Sequence, residues 1–263
     1  MRICSFVPSA TEILFALGLG RDIVGVSHEC VYPPAARRKP RVIRTVIDQE
    51  TISSAAIDAA VRRSAQQGTS LYRIDERLLR RLRPELVLIQ KLCEVCAIGG
   101  VQAEQALGAL PSPPEILALH PHTIEEMLGE FRLIGGRTGR AEAAEALIQD
   151  FRARLSRVRK RLDTVATRPR VCCLEWLEPP MTAGHWVPEM VELAGGREAL
   201  GRAGARSRRM SWEEIAEAQP EVLLLIPCGF SIARTRCELS RVTSQPVWCE
   251  LPAVRAGRVY LMD

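Results

Sequence analysis

Two stretches, RPELVLIQ at 83–90 and QPEVLLLIP at 219–227, repeat one pattern, a Pro-Glu lead into a short unbroken apolar run. Such a run fits a strand buried on both faces, as in parallel α/β sheets whose crossover helices cover both sides. The surroundings repeat as well. RICSFVPSATEILFALGLG at 2–20 reads as strand, loop, helix and glycine stop, and RVCCLEWLEPPMTAGHWVPEMVELAGG at 170–196 follows the same plan. Between the copies, Leu147, Ile148, Phe151, Leu155, Val158, Leu162 and Val165 draw an apolar stripe at three-and-four spacing down one long helix, which Arg168-Pro169 stops. The expected fold is α/β, with two Rossmann-like lobes of parallel-type sheet, 1–138 and 168–263, joined by a long rigid helix within 139–167.

Within that plan the expected strands are Ile3 to Val7, Ile23 to Val26, Leu86 to Ile89, 116–119 and a short PVW strand ending at Trp248. The polar stretch from Ser53 to Arg83 reads as helical. Ser9 with Glu12, and Ser211 with Glu214, have the spacing of capping boxes.

Composition narrows the function. The net charge is +5, carried mostly by Arg spread along the whole chain without interleaved aromatics, so no nucleic-acid partner is expected. The densest basic run, RARLSRVRKR at 152–161, reads as the solvated face of the long helix. No apolar run approaches the ~20 residues that span a bilayer, so no membrane insertion is expected. The nine cysteines form no disulfide framework, and only Met1 and Arg2 precede the first strand, with no export signal. Cytoplasmic localisation is expected of the chain as written, and a periplasmic or extracellular one if it is a trimmed mature form. No Gly-x-Ser-x-Gly, His-Glu-x-x-His, P-loop or Gly-x-Gly-x-x-Gly motif follows a strand, so a binding protein is expected and not an enzyme.

In parallel α/β sheets ligands bind beyond the carboxyl ends of the strands. The loops there carry Pro8 and Ser9; His28, Glu29, Cys30 and Tyr32; the segment from Lys91 through Cys93 to Cys96; His120 and His122; Trp176 and Pro180; His185 and Trp186; and Cys228 with Phe230. All four histidines and, with Trp248, three of the four tryptophans fall in these loops, in a chain of only 5% aromatic residues. That concentration points to a cleft between lobes suited to a large, flat, partly apolar ligand. His120 and His122 also fit an exposed turn, and His185-Trp186 fits packing ahead of a helix. For Cys93 and Cys96, a Cys-x-x-Cys pair, three readings stand: pocket wall, a metal site completed by His28 and Cys30, or a thiol redox couple.

The runs RICSFVPSATEILFALGLGRDIVGVSHECVYP and LEWLEPPMTAGHWVPEMVELAGG, with the two Pro-Glu-led strands, resemble the cobalamin-binding substrate-binding proteins of ABC importers, of the class III, helical-backbone type. The resemblance implies a corrinoid held by the Pro8-Ser9 loop, the His28-Glu29-Tyr32 loop, Lys91 and Cys93, Trp176, the Pro180-Met181 turn, His185-Trp186 and Phe230. It also implies that Glu104 and Glu213, one per lobe, dock onto an ABC permease. The free cysteines depart from the exported members and favour intracellular corrinoid handling. A metal or metal-chelate ligand of the haem or siderophore kind, held through His28, Cys30, Cys93 and Cys96, is the alternative.

Overall fold

The structure is a computed structural model and describes residues 1–91 and 100–263. It contains, in chain order, β1 (Ile3–Ser5), α1 (Pro8–Ala16), β2 (Ile23–Ser27), β3 (Arg41–Thr45), α2 (Ser54–Gln66), β4 (Tyr72–Ile74), α3 (Glu76–Leu82), β5 (Leu86–Gln90), α4 (Gly100–Gly108), β6 (Glu115–Leu119), α5 (Ile124–Arg137) and α6 (Ala141–Leu162). There follow β7 (Arg170–Leu177), β8 (Pro180–Thr182), α7 (Val187–Leu193), β9 (Arg197–Glu198), α8 (Trp212–Glu217), β10 (Val222–Leu225), α9 (Ile232–Thr243), α10 (Pro252–Arg255) and β11 (Val259–Leu261). Two compact units form. The first comprises Met1–Asp48, Ala60–Pro121 and Glu125–Gln149, and the second Gln49–Ala59, His122–Ile124 and Asp150–Asp263.

The first unit holds a sheet of order β4-β3-β2-β1-β5-β6, parallel except for β4, which pairs antiparallel with β3. Strand β5 shows why the chain folds this way. Its period of two sends Leu86 and Leu88 into one apolar cluster with Leu14, Ile23 and Ile134, and Val87 and Ile89 into another with Val42, Leu79 and Leu107. Each fully buried aliphatic side chain contributes roughly 1.5–3 kcal/mol, so register is fixed from both faces at once.

The second unit repeats the device with less cover. Its sheet runs β11-β10-β7-β8, with β9 pairing the start of β7 and β8 antiparallel to the end of β7. Leu223 and Leu225 of β10 are buried against Trp212, Ile215 and Trp248, while Val222 and Leu224 pack partly buried on the other face beside Val171 and Val191.

Several expectations are corrected. The strand expected to reach Val7 ends at Ser5, because Pro8 already opens α1. The stretch expected as one helix from Ser53 to Arg83 is α2, β4 and α3, broken first at Gly68, whose φ of +61° is a left-handed turn. Trp248 sits in a 3-10 turn over Trp248–Glu250 and is core, edge-on to Trp212 at 6.0 Å, so it belongs to no ligand loop. Both sheets contain antiparallel pairs that the parallel plan omitted. The stripe on α6 is also shorter than its pattern: Ile148 is buried, but Val158 is 41% exposed and Val165 lies beyond the helix. The early turns of α6 pack closely, for a Cβ on Gly135 would come 2.6 Å from the Ala144 Cβ.

Candidate functional site

In the first unit β1, β2 and β5 are parallel neighbours, so their carboxyl ends share one edge. The strand order reverses direction at β1 and β5, the place where open α/β sheets offer a crevice. The turn after β1 is stitched internally: Ser5 Oγ donates to the Val7 carbonyl at 2.9 Å, and the Thr11 hydroxyl lies 2.8 Å from Ser5 Oγ. Pro8 takes the first helical position, and Ser9 is exposed in the first turn. The N-cap is Val7, with no side-chain cap, so Ser9 and Glu12 form no capping box.

Two arginines shape the loop after β2. Arg41 donates to the carbonyls of Ser27 and Cys30 at 2.5 and 2.9 Å, and Arg37 donates to that of Val31 at 3.0 Å. The His28 N–H donates to the Ile43 carbonyl, and its ring lies 5.8 Å from that of Tyr72. Both His28 ring nitrogens are shielded from solvent and lack a hydrogen-bond partner among the described residues. The Nε2 atom is 3.8 Å from Glu29 Oε1. Burial, with the Arg41 charge, pushes the imidazole's pKa down. Burial pushes the Glu29 carboxyl up to about 7. Near neutral pH the loop therefore presents a neutral imidazole beside a carboxyl part way through its titration. Tyr32 is 62% exposed at the rim. Lys91 pairs with Glu104 at 2.6 Å, so a residue assigned to the ligand and one assigned to a permease engage each other.

The thiol of Cys30 does not join this loop surface. It is wholly buried in the apolar cluster of β1 and β2, 3.1 Å from Thr11 Oγ1, and burial raises its pKa. Among the described residues no three His, Cys, Asp or Glu side chains gather as metal ligands. The expected set of His28, Cys30, Cys93 and Cys96 thus loses Cys30 to the core, and Cys93 and Cys96 lie outside the described residues.

In the second unit the ends of β7 and β10 lie side by side. Trp176 is half-buried, its ring 5.2 Å from that of Phe230, and its Nε1–H donates to the Ser54 carbonyl at 3.2 Å. Phe230, expected to touch ligand, is only 6% exposed and packs against Trp176, with the Arg234 guanidinium 4.4 Å from its ring centroid. Pro180 is buried in the β7–β8 hairpin, and Met181 beside it is half-buried and bridged to Arg209.

The next loop is closely packed. A Cβ on Gly184 would sit 2.5 Å from the Ser207 nitrogen and 2.7 Å from the Ala205 carbonyl oxygen, so glycine is required there. His185 adopts φ 54°, and its N–H donates to the Ala205 carbonyl at 2.7 Å. Its ring lies 5.4 Å from that of His122 and 6.0 Å from that of Trp186, which precedes α7. His185 Nδ1 is buried without a partner among the described residues. Burial, His122 and Arg206 hold this imidazole below its ordinary pKa. Glu175 accepts from Gly184 N–H at 3.3 Å, and its burial raises the carboxyl despite that bond and one with Ser207. Glu213 lies exposed in the first turn of α8, whose N-terminus carries the expected Ser211–Glu214 capping box.

Sequence reasoning missed Arg41, Tyr72, Ser54, Arg234 and Glu238. Only the i,i+4 spacing of Arg234 and Glu238 left a local trace, and it resembles an ordinary surface pair.

Parallel-rich sheets with half-buried aromatics and neutral imidazoles at their strand ends define the class, a ligand-binding α/β protein. The sequence matches the periplasmic binding protein family over residues 3–263, and the chain belongs to that family. A vitamin B12-binding protein of Vibrio cholerae is 24% identical over 261 residues, 94% of this chain and 79% of the relative. The crystal structure of a periplasmic vitamin B12-binding protein of Vibrio cholerae superposes with a TM-score of 0.67 at 22% identity, covering 100% of this chain and 87% of the other. A periplasmic haem-binding protein from Pseudomonas aeruginosa reaches 0.74 at 20% identity, covering 100% and 84%. Ligand binding as the substrate-binding component of an ABC importer is the activity this membership supports. No described helix is long and apolar enough to cross a membrane.

Proposed function

We propose that the ligand is cobalamin or a related corrinoid. The observation that carries this reading is the aromatic surface of the second unit, where Trp176, expected in a loop, stands half-buried within the last residues of β7, paired with Met181 of β8, and Trp186 stands half-buried in the loop after β8. A corrin offers such rings a broad apolar face, and its amide side chains suit neutral hydrogen-bonding groups such as His28 and His185. The vitamin B12-binding relatives support the same ligand.

Haem is the second reading. It is favoured by the unpartnered imidazole nitrogens of His28 and His185 and by the haem-binding structural neighbour. The thiol redox reading concerns Cys93 and Cys96, which lie outside the described residues; burial raises the pKa of the Cys4, Cys30, Cys172 and Cys173 thiols and leaves those four unsuited to it. Delivery to a permease through Glu104 and Glu213 is part of the proposal. The alternative to permease docking is corrinoid handling inside the cell, which the free exposed thiols of Cys228, Cys237 and Cys249 support and in which Glu104 and Glu213 need dock to nothing.

Calorimetric titration with hydroxocobalamin and with haemin, followed by visible spectra, tests the ligand. One-to-one hydroxocobalamin binding at least tenfold tighter than haemin is expected. The reverse order establishes the haem reading, and binding of neither overturns both.

A further inference from the structure

We propose that Arg234 and Glu238, two residues of α9 that are 7% and 5% exposed, are positioning residues that hold Trp176 in its ligand-receiving orientation. The proposal rests on the reading of Trp176 as ligand-facing. A closed circuit of contacts inside the second unit carries it. The Arg234 guanidinium donates through Nη1 to Glu238 Oε1 at 2.9 Å, through Nε to the Gln49 carbonyl at 3.2 Å and through Nη2 to the Ile52 carbonyl at 2.5 Å. Its central carbon stands over the Phe230 ring, 4.4 Å from the centroid. Phe230 backs Trp176. Trp176 donates to the Ser54 carbonyl, and Ser54 donates through its N–H and its hydroxyl to Glu238 Oε2 at 3.2 and 2.8 Å. The circuit then returns to Arg234.

A buried ion pair is a poor device for stability alone, because desolvation consumes most of its Coulombic gain. What it supplies is fixed geometry, since a planar guanidinium holds donors and stacking face in one rigid unit. Burial opposes the charge on Glu238, but the Ser54 hydrogen bonds and the Arg234 guanidinium outweigh it and keep the carboxyl below its ordinary pKa. The pair also fastens Gln49, Ile52 and Ser54, so the N-terminus of α2 takes its cap from α9. Trp176 is the half-exposed ring of this circuit, in contrast to buried Phe230. A ring held in place before the ligand arrives loses no rotamer freedom on binding, which is how preorganisation raises affinity.

The test uses Arg234→Lys, which keeps the charge but not the fork, Glu238→Gln, which keeps the shape and an acceptor, and Trp176→Phe. In ligand-free protein, the near-ultraviolet circular dichroism lost in Trp176→Phe isolates the signal of Trp176. That signal is expected to collapse in Arg234→Lys and in Glu238→Gln while both still melt cooperatively. Hydroxocobalamin affinity is expected to fall about tenfold in Arg234→Lys, ~1.4 kcal/mol, but less than about twofold when the same change is made on Trp176→Phe. An equal loss in both backgrounds means a merely structural pair and overturns the proposal, as does a Trp176 signal that survives both variants. Should Arg234→Lys fail to fold, Glu238→Gln carries the same comparison. If the native chain binds neither hydroxocobalamin nor haemin, the ligand reading fails, and the ligand-free spectrum alone decides whether the pair positions Trp176.

Discussion

At the end of β2 the His28 imidazole has two shielded nitrogens with no partner among the described residues, beside a carboxyl that lacks a firm ion pair. At the ends of β7 and β10 every nitrogen of the Arg234 guanidinium and both oxygens of Glu238 are engaged. The first loop keeps hydrogen-bonding capacity in reserve, which is what a polar ligand group needs on arrival. At β7 and β10 the second ties its polar groups into holding aromatic rings, which is what an apolar ligand face needs, and leaves open only His185 Nδ1 after β8 among the groups described there. One fold plan, repeated in the chain, has thus produced two strand-end edges that differ in kind.

The largest test of that contrast is stability. Glu238→Ala leaves the Arg234 charge buried with only carbonyl acceptors, and loss of one partner of a buried pair costs about 3–5 kcal/mol. His28→Ala removes nitrogens that are already unsatisfied and forfeits mainly contact with Tyr72, so about 1 kcal/mol or less is expected. Urea denaturation midpoints read both changes. Equal costs would erase the distinction between a tied and an open edge.

A second test separates the two groups of the open edge by the sign of their pH dependence. Glu29 is raised to about 7 in the folded chain from an ordinary 4.5, so its contribution is complete below the unfolded pKa and is lost as pH rises toward 7. His28 is lowered, so its contribution is present above 6.5 and is lost as pH falls through the folded value. Glu29→Gln should therefore flatten the decline in stability between about pH 4.5 and 7, by on the order of 2 kcal/mol. His28→Gln should instead flatten the decline on the acid side. Denaturation midpoints across pH 4 to 8 check both, and a common sign would mean the two groups titrate as one unit.

The contrast between edges also explains what could be read from the chain. RPELVLIQ and QPEVLLLIP reveal β5 and β10 because burial on both faces leaves a continuous apolar run. Strand β3, Arg41–Thr45, escapes because arginines at both 41 and 44 interrupt the run, although Arg41 is the residue that organises the His28 loop. His28 and His185 are legible as candidates because they follow strands, and Trp176 because it lies at the end of one; position is a local property. The support behind Trp176 is not local. Ser54 meets Glu238 across 184 positions of sequence, and Arg234 with Glu238 looks like any solvated i,i+4 pair until Gln49–Ala59 packs over it. The burial of Phe230 is illegible for the same reason, since a strand-end position does not say which of two touching rings the rest of the unit covers.

The smallest effect compares two capping-box spacings that look alike in sequence, one before α1 of the first unit and one before α8 of the second. Ser211 caps α8 in full: its hydroxyl accepts from Glu214 N–H at 3.1 Å, and Glu214 accepts from Ser211 N–H at 2.8 Å. Ser9 does none of this, because Pro8, with φ fixed near the helical value, starts α1 two residues earlier than a Ser9 cap would and leaves Ser9 exposed inside the first turn. Ser211→Ala should cost about 1 kcal/mol through loss of the cap. Ser9→Ala should change stability by no more than about 0.5 kcal/mol and favour the folded state, since alanine is the better residue within a helix. Thermal melts of the two variants at one pH decide the matter. A comparable loss at Ser9 would mean that Ser9 caps α1 in solution in place of Val7, with the helix start displaced by two residues from the geometry that sets Pro8 just after β1.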